Sequence, residues 1–142
     1  MPPQDPYRNF NFLVEIDGIS QVRFAECSGI GGSIDVVTYR EGGDPTATRK
    51  LPGLTHYSNI VLRWGVTDSH ELEDWFHDAT AGKIQLRKGS ITLLDQDGTP
   101  RVRWNFVGAW PARWEGPHLI GDGTQVAIET LELAHEGITR AQ

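Results

Sequence analysis

The sequence has little cysteine and no long hydrophobic run. Cys27 is its one cysteine, so an intrachain disulfide is excluded, and so is a zinc site built from several thiolates. No apolar run approaches the roughly 20 residues that cross a bilayer, and residues 1–9 lack the basic start and apolar stretch of a secretory signal. We therefore expect a protein that is made and folded in the cytoplasm, without direct membrane anchoring.

The sequence also lacks an excess of basic residues. It has 13 Lys plus Arg against 19 Asp plus Glu, which gives a formal net charge of -6. This is the wrong sign for a surface that binds the phosphates of nucleic acids. The charge balance therefore argues against a dedicated DNA- or RNA-binding protein.

What the chain does contain fits one β-rich domain. Its 142 residues are enough for one domain but too few for two well-packed cores. The hydrophobic fraction of 38% allows a buried interior, while 16 glycines and 8 prolines predict many turns. We expect a mainly β fold over residues 1–142, a small β-barrel or sandwich of about seven strands with one flanking α-helix.

Alternating apolar residues predict the strands. Phe12, Val14 and Ile16 share one side of a half-buried first strand, and the turn residues Asp17-Gly18 predict a hairpin with a returning strand near residues 22–24. Further strands are predicted at 34–40, 56–64, 91–94, 102–106 and about 125–135. The segment 41–53, rich in glycine, proline and charged side chains, is predicted to be a long loop, which in a small domain is functional or disordered.

One segment has helical periodicity. Apolar residues recur at helical spacing from Leu72 to Ala79, and Gly82 is placed to end the helix. Asp68 and Glu71 have the spacing of a capping box at the start of this helix.

The last strand departs from simple alternation. Val126 and Ile128 have one phase, whereas Leu131 and Leu133 have the other. Either a bulge changes the phase or both faces of the strand are covered. A neighbouring subunit would be the simplest cover in so small a protein.

Motifs for catalysis and ligand binding are incomplete. His135-Glu136 begins like the zinc-protease helix motif, but Thr139 occupies the position of the second ligand. His70 and His77, with Asp74, have the spacing of metal ligands on one helix face, yet an exposed polar helix face explains them equally well. We predict no catalytic, cofactor-binding or metal-binding residue, and hence a protein that is not an enzyme.

Several segments together resemble one known family. In chain order they are DPYRNFNFLVEIDG (5–18), CSGI (27–30), YREGGD and RKLPG (39–44 and 49–53), ITLLDQDG (91–98), WNFVGAWP (104–111) and AIETLELAHEG (127–137). This order resembles the tail tube protein family of contractile phages, which also supplies the inner tubes of phage-tail-like contractile injection systems. The resemblance covers nearly the whole chain, so it is more specific than any single motif.

The resemblance implies a structural subunit and not a catalyst. It implies a fold like that of the type VI secretion tube, and homo-hexameric rings that stack into a tube inside a contractile sheath. It further implies a baseplate and tube-terminating proteins as partners, and DNA or effector cargo that passes through the lumen without specific binding. The particle would be a virion tail or an injection device, extracellular once released.

The resemblance also assigns the segment 41–53 to an extended arm that contacts an adjacent subunit or ring. The predicted contact residues are Glu41, Gly42, Gly43, Asp44, Arg49, Lys50, Leu51 and Pro52. The charged residues would form ion pairs between subunits, and Leu51 with Pro52 would be apolar anchors. Second-choice contacts are Tyr7, Arg8, Glu136 and Arg140.

Two alternatives stay open from the sequence. One is a tube-end or baseplate adaptor with the same fold. The other is a small barrel that acts as a ligand-binding protein or an enzyme, with a metal or small molecule bound near His70 and His77.

Overall fold

Nine strands and one helix make up the described part of the chain. The computed structural model describes residues 11–20, 23–40, 42–43, 47–123 and 126–141. The elements are β1 (Asn11–Ile16), β2 (Glu26–Ser28), β3 (Gly32–Tyr39), β4 (Arg49–Tyr57), β5 (Ile60–Gly65), α1 (Glu71–Thr80), β6 (Arg87–Leu94), β7 (Pro100–Glu115), β8 (Ile128–Ala134) and β9 (Gly137–Arg140). This confirms the predicted mainly β fold with one helix. No helix within those ranges is long and apolar enough to cross a membrane.

Seven of these strands form one antiparallel sheet that is folded over but not closed. Its order is β1-β6-β7-β8-β5-β2, and β9 also pairs with β7. The long strand β7 belongs to both halves of this sheet: its first half pairs with β6 and β9, and its second half pairs with β8. We call β1, β6, β9 and the first half of β7 half-sheet A, and β2, β5, β8 and the second half of β7 half-sheet B. Gly108, with a φ of 64°, lies where β7 passes from one to the other.

Both half-sheets and α1 contribute to a single hydrophobic core. Half-sheet A supplies Val14, Ile16, Ile91 and Phe106; half-sheet B supplies Ile60, Leu62, Trp64, Leu131 and Leu133; and α1 supplies Leu72 and Trp75. Phe106, in the strand shared by both half-sheets, is completely buried. The periodicity of the first strand, of the helix and of residues 102–106 therefore predicted the core-facing sides correctly.

Strand β1 does not form the hairpin predicted for it. It pairs along its whole length with β6, and the Asp17-Gly18 turn leads only to an isolated bridge between Ile16 and Ile19. Residue 22 of the predicted returning strand lies outside the described residues. Phe24 instead packs edge-on against Trp64, with ring centroids 5.9 Å apart. The prediction of an opening hairpin was therefore wrong, because β1 buries its apolar face by pairing with a strand that is distant in sequence.

Helix α1 begins without the predicted capping box. His70, and not Asp68, is the N-cap residue, and it makes no side-chain cap hydrogen bond. The Glu71 carboxylate instead accepts hydrogen bonds from the Ser20 backbone N–H and hydroxyl at 2.7 and 2.8 Å. These bonds fasten the loop after β1 to the first turn of the helix. The helix ends before Gly82, whose φ is 87°, as predicted.

The phase change of the last strand is not caused by a bulge within β8. Its pairing with β5 is unbroken from Leu133 opposite Ile60 to Ile128 opposite Gly65. Leu131 and Leu133 face the core, and Val126 precedes the strand and is exposed. The apolar residues of the two phases therefore lie on different sides of the backbone.

Strands β3 and β4 form a separate two-stranded sheet, which we call the arm. It is a larger unit than the segment 41–53 to which the resemblance assigns an extended arm, and it shares residues 49–53 with that segment. The predicted loop over 41–53 was partly wrong, since β4 begins at Arg49, and the predicted strand over 56–64 is interrupted between Tyr57 and Ile60. The pairing of Ser28 with Val61 and of Gly32 with Tyr57 belongs to one register. The segments β2–β3 and β4–β5 therefore form one long hairpin whose outer half is the arm.

Gly29 lies at the bend between β2 and β3. Its φ is 89°, and a Cβ at this position would collide with the carbonyl oxygen of Asn59. We expect Gly29→Ala to lower the free energy of unfolding well beyond the roughly 1–2 kcal/mol of the left-handed backbone alone. Gly43→Ala is the matched control, since Gly43 has a φ of 95° with open space around it. Urea denaturation measures both, and equal losses would contradict the close approach at Gly29.

Candidate subunit interface

The arm exposes apolar side chains along its whole length. Every residue of β3 and β4 is exposed, and its large apolar residues are Ile34, Val36, Val37, Tyr39, Leu51, Leu54 and Tyr57. Val36 is 65% and Leu54 71% exposed. A lone two-stranded sheet is marginally stable in water, and a large exposed apolar patch marks an interaction site. The arm therefore has the properties of a surface that becomes buried against another protein.

Both faces of the arm carry this apolar surface. Successive strand residues point to opposite faces, so Ile34 and Val36 lie on one face of β3 and Val37 and Tyr39 on the other. All four are exposed, and within the described ranges the arm pairs with no other strand. A partner that covers only one face would leave the other in water, so the arm is suited to lie between two neighbouring surfaces.

A bulge in β4 shapes the middle of the arm. Ile34 pairs with Thr55 and Val36 with Pro52, so Gly53 and Leu54 both lie opposite Asp35. Proline lacks the N–H of the strand ladder and is tolerated at bulges and edges, and a Cβ at Gly53 would be in tight contact with Asp35 and Val37, at 3.0–3.2 Å. The bulge also places the His56 Nε2 atom 2.9 Å from a carboxylate oxygen of Asp35.

The root of the arm is held against the turn between β8 and β9. The His135 Nε2 atom donates a hydrogen bond to the Ser58 carbonyl oxygen at 2.9 Å, and the His135 ring lies 5.6 Å from that of Tyr57. The Ser58 N–H donates to the Gly31 carbonyl at 3.1 Å. An open groove between Thr55–Asn59 and Ala134–Glu136 runs beside this contact.

The structure places the predicted interface residues in several parts of the fold. Gly42 and Gly43 lie at the tip of the arm, and Arg49, Lys50, Leu51 and Pro52 lie in β4, all exposed. Glu136 lines the groove at the arm root, and Arg140 lies in β9, paired with Trp104 in half-sheet A. Glu41, Asp44, Tyr7 and Arg8 lie outside the described residues.

Sequence reasoning missed the contribution of β3 to this surface. Ile34, Val36, Val37 and Tyr39 were assigned to an ordinary strand, although none of them belongs to the core. The available signal was the run of apolar residues in both phases, Ile34 and Val36 against Val37 and Tyr39. Such a run predicts a strand that is covered on both faces.

The outward side of α1 is acidic. It carries Glu71, Glu73, Asp74 and Asp78 but no Lys or Arg. The hydrogen bond with Asp74, at 2.7 Å from Nδ1, is the main cause that raises the pKa of the exposed His70 above its ordinary value. Within the described ranges, no three His, Cys, Asp or Glu side chains are arranged to hold a metal ion.

Cys27 lines an apolar cavity of about 310 Å³ between β2 and half-sheet A, together with Phe12, Ile91 and Trp104. Burial raises the pKa of its thiol to about 11 from 9.0. Because the thiolate is the reactive species, we expect maleimide to modify native Cys27 at pH 8 about 100-fold more slowly than an ordinary free thiol. Unfolding in urea should restore the ordinary rate; equal rates in the native and unfolded states would contradict the burial.

One family model and several solved structures match nearly the whole chain. The model of the T4-like virus tail tube protein gp19 family matches residues 8–139. A search of curated proteins gives no match. A chain in the sheath/tube terminator of the PVC extracellular contractile injection system is 26% identical, with a TM-score of 0.87 over 98% of this chain and 99% of that chain.

Two further structures extend the comparison. A chain in the baseplate of the anti-feeding prophage is 26% identical, with a TM-score of 0.84 over 97% of both chains. Hcp1 from Flavobacterium johnsoniae is 16% identical, with a TM-score of 0.58 over 93% of this chain and 95% of that chain, and it shows likeness of fold alone.

Proposed function

Since the chain belongs to the T4-like virus tail tube protein family, we propose that it is the repeating subunit of the inner tube of a contractile tail or injection system, with six copies in each ring and rings stacked end to end. It is a structural protein and not an enzyme. Its proposed role is mechanical: the surface that is buried between neighbouring subunits makes the tube stiff.

The arm is the observation that carries this proposal. Seven large apolar side chains are exposed on a two-stranded sheet, and one chain offers nothing within the described ranges that pairs with that sheet. Burial of apolar surface contributes about 25 cal/mol per Å² to the free energy of association. Contact of the arm with a neighbouring subunit or ring would therefore stabilise the assembly. The predicted contacts of Arg49, Lys50, Leu51 and Pro52 remain part of this proposal, as do Glu136 and Arg140.

The proposed partners are the components that surround, close or pass through the tube of a contractile particle. A sheath surrounds it, a baseplate and a terminating protein close its ends, and DNA or effector proteins pass through its lumen without specific binding. Support comes from the similar chains, which were solved in a PVC sheath-tube complex, an anti-feeding prophage baseplate and a tube-terminating cap. Subunits are proposed to be made and assembled in the cytoplasm, in particles that act outside the cell once released.

Electron microscopy of the purified protein tests the proposal. Over a rising concentration series, negative-stain images should show six-fold rings and then tubes, and light scattering should detect a species of six times the 15.8 kDa chain mass. A protein that stays monomeric at every concentration, alone and with its sheath and baseplate proteins, would contradict it.

A tube-end or baseplate adaptor is the second candidate. The specific reason is that similar chains come from baseplate, terminator and cap structures as well as from a sheath-tube complex. Abundance separates the two functions: quantitative mass spectrometry of purified particles should find a tube subunit in large excess over baseplate proteins, whereas an adaptor would be present at about one ring for each particle.

A further inference from the structure

We propose that the seam between β1 and β2 holds a binding site for a small neutral aromatic molecule of one or two fused rings. The site is the apolar cavity beside Cys27, with a volume of about 310 Å³, which we call the seam pocket. It is formed within a single chain. The proposal therefore does not depend on the tube, and it applies equally to an adaptor with this fold.

The seam pocket lies where the sheet does not close. Strands β1 and β2 are the two ends of the strand order, and they do not pair with each other in the described part of the chain. Phe12 of β1 and Cys27 of β2 both contribute to the walls. Paired strands lie about 4.8 Å apart, which leaves no room for a molecule between them. The unpaired seam leaves that room.

Aromatic and aliphatic side chains form most of the walls. Half-sheet A supplies Phe12, Ile91, Leu93 and Trp104, and β2 supplies Cys27. Ile91 belongs to the hydrophobic core, and Phe12, Cys27 and Trp104 pack against it. Sites for small molecules are typically cavities of about 300–1,000 Å³ with mainly apolar and aromatic walls. The seam pocket has this character and lies at the lower end of that range.

The volume of the pocket limits the size of the occupant. Apolar cavities of about 150 Å³ stay free of water and bind benzene. The seam pocket, at about 310 Å³, has room for one molecule with a single ring or two fused rings. The Cys27 sulfur favours an aromatic occupant, because contacts between sulfur and aromatic rings are attractive.

The charges at the pocket favour a neutral molecule. Of the described residues that line it, only Glu26 is ionised, and its carboxylate lies 3.0 Å from the Arg63 guanidinium. Burial raises the pKa of the Cys27 thiol to about 11, so the sulfur carries no charge at neutral pH. A charged molecule would lose its hydration in the pocket without gaining a partner of opposite charge.

Ile30 connects the pocket to the root of the arm. It lies in the bend between β2 and β3, is 38% exposed and lines the pocket. The next residue, Gly31, accepts a hydrogen bond from the Ser58 N–H at 3.1 Å. A molecule in the seam pocket would therefore contact both the body of the subunit and the bend from which the arm extends.

Nuclear magnetic resonance with indole tests the proposal on the full chain, below the concentration at which it assembles. We expect saturable binding with a Kd of about 0.1–1 mM, as suits a ligand of this size. Nuclear Overhauser effects should connect the indole protons with the methyl groups of Ile30, Ile91 and Leu93. Indole-5-carboxylate, which has the same rings and a negative charge, should bind at least about 10-fold more weakly.

A pair of substitutions locates the binding. Ala25 lines the pocket and is exposed, so Ala25→Phe should place a ring in the pocket and weaken indole binding at least about 10-fold. Ala112→Phe is the matched control, because Ala112 is also an exposed alanine but does not line the pocket. It should bind indole like the wild type.

Three results would overturn the proposal: no saturable binding, equal binding of the two probes, or Overhauser effects confined to arm residues such as Leu54, which would indicate contact with the exposed arm. If Ala25→Phe does not fold, the Overhauser effects of the wild type decide the question. Because the measurement uses dissociated subunits, its result stands whether or not tubes form. Failure of the seam pocket and failure of the proposed tube are therefore distinguishable.

Discussion

We expect that tubes do not form when Val36 and Leu54 are both replaced by aspartate. Both side chains are largely exposed in the single chain, so each substitution should change its free energy of unfolding by no more than about 0.5 kcal/mol. In an assembled tube the same positions would bury unpaired carboxylates, which costs several kcal/mol. We expect no sedimenting polymer at about 100 times the concentration at which the wild type assembles.

Sedimentation and electron microscopy measure assembly, and urea denaturation measures the fold. Leu119→Asp is the matched control, because Leu119 is as exposed as the arm residues but lies between β7 and β8. It should assemble like the wild type. If the Val36→Asp, Leu54→Asp double variant formed tubes of normal length, the proposal that the arm lies in the subunit interface would be wrong.

Replacing Phe106 by alanine is expected to destabilise the domain severely. The side chain is completely buried in the strand shared by both half-sheets, and truncation of a buried phenylalanine costs about 3–5 kcal/mol. Because domains of this kind have about 5–15 kcal/mol of stability in total, this loss takes the protein close to its threshold. Circular dichroism during urea denaturation should show a much lower midpoint.

The neighbouring residue in the chain is the control for Phe106. Val107 is 51% exposed and points to the opposite face of β7, so Val107→Ala should change the free energy of unfolding by at most about 0.5 kcal/mol. If both variants lost the same stability, the assignment of Phe106 to the core would be wrong. Loss of assembly without loss of stability in Phe106→Ala would equally contradict it.

The two expected results separate two roles within one chain. The body is stable because its apolar side chains are buried among themselves, whereas the arm keeps comparable side chains in water. Substitutions in the arm should therefore change assembly and leave the fold intact. Substitutions in the core should change the fold, and assembly only as a consequence.

Much of the fold follows from local sequence patterns. The alternation through Val14 and Ile16 and the helical spacing from Leu72 to Trp75 both identified core-facing residues, because a buried face imposes its period on the residues that form it. The order of the segments along the chain led to the tail tube family, which the comparison confirmed. The function was inferred from that order, since no single motif in the sequence indicates it.

Strand pairing, in contrast, was decided by the tertiary structure. The turn residues after β1 predicted a hairpin, but β1 pairs with β6, whose residues lie 73 to 83 positions further along the chain, because the core face of β1 needs a neighbour that also faces the core. Likewise, residues 49–53 have the composition of a loop and yet form part of β4. Their partners in β3 supply the hydrogen bonds that the composition alone does not predict.

The sequence by itself therefore determined which residues are apolar, at which period they recur and to which family their order belongs. Only the tertiary structure decided that β2–β3 and β4–β5 keep one register, so that the arm follows half-sheet B in one long hairpin. Only the tertiary structure also brought Arg63 to 3.0 Å from Glu26 and Arg113 to 3.2 Å from Glu132. Periodicity is a property of neighbours along the chain. Register and charge pairing depend on atoms that only folding brings within contact distance.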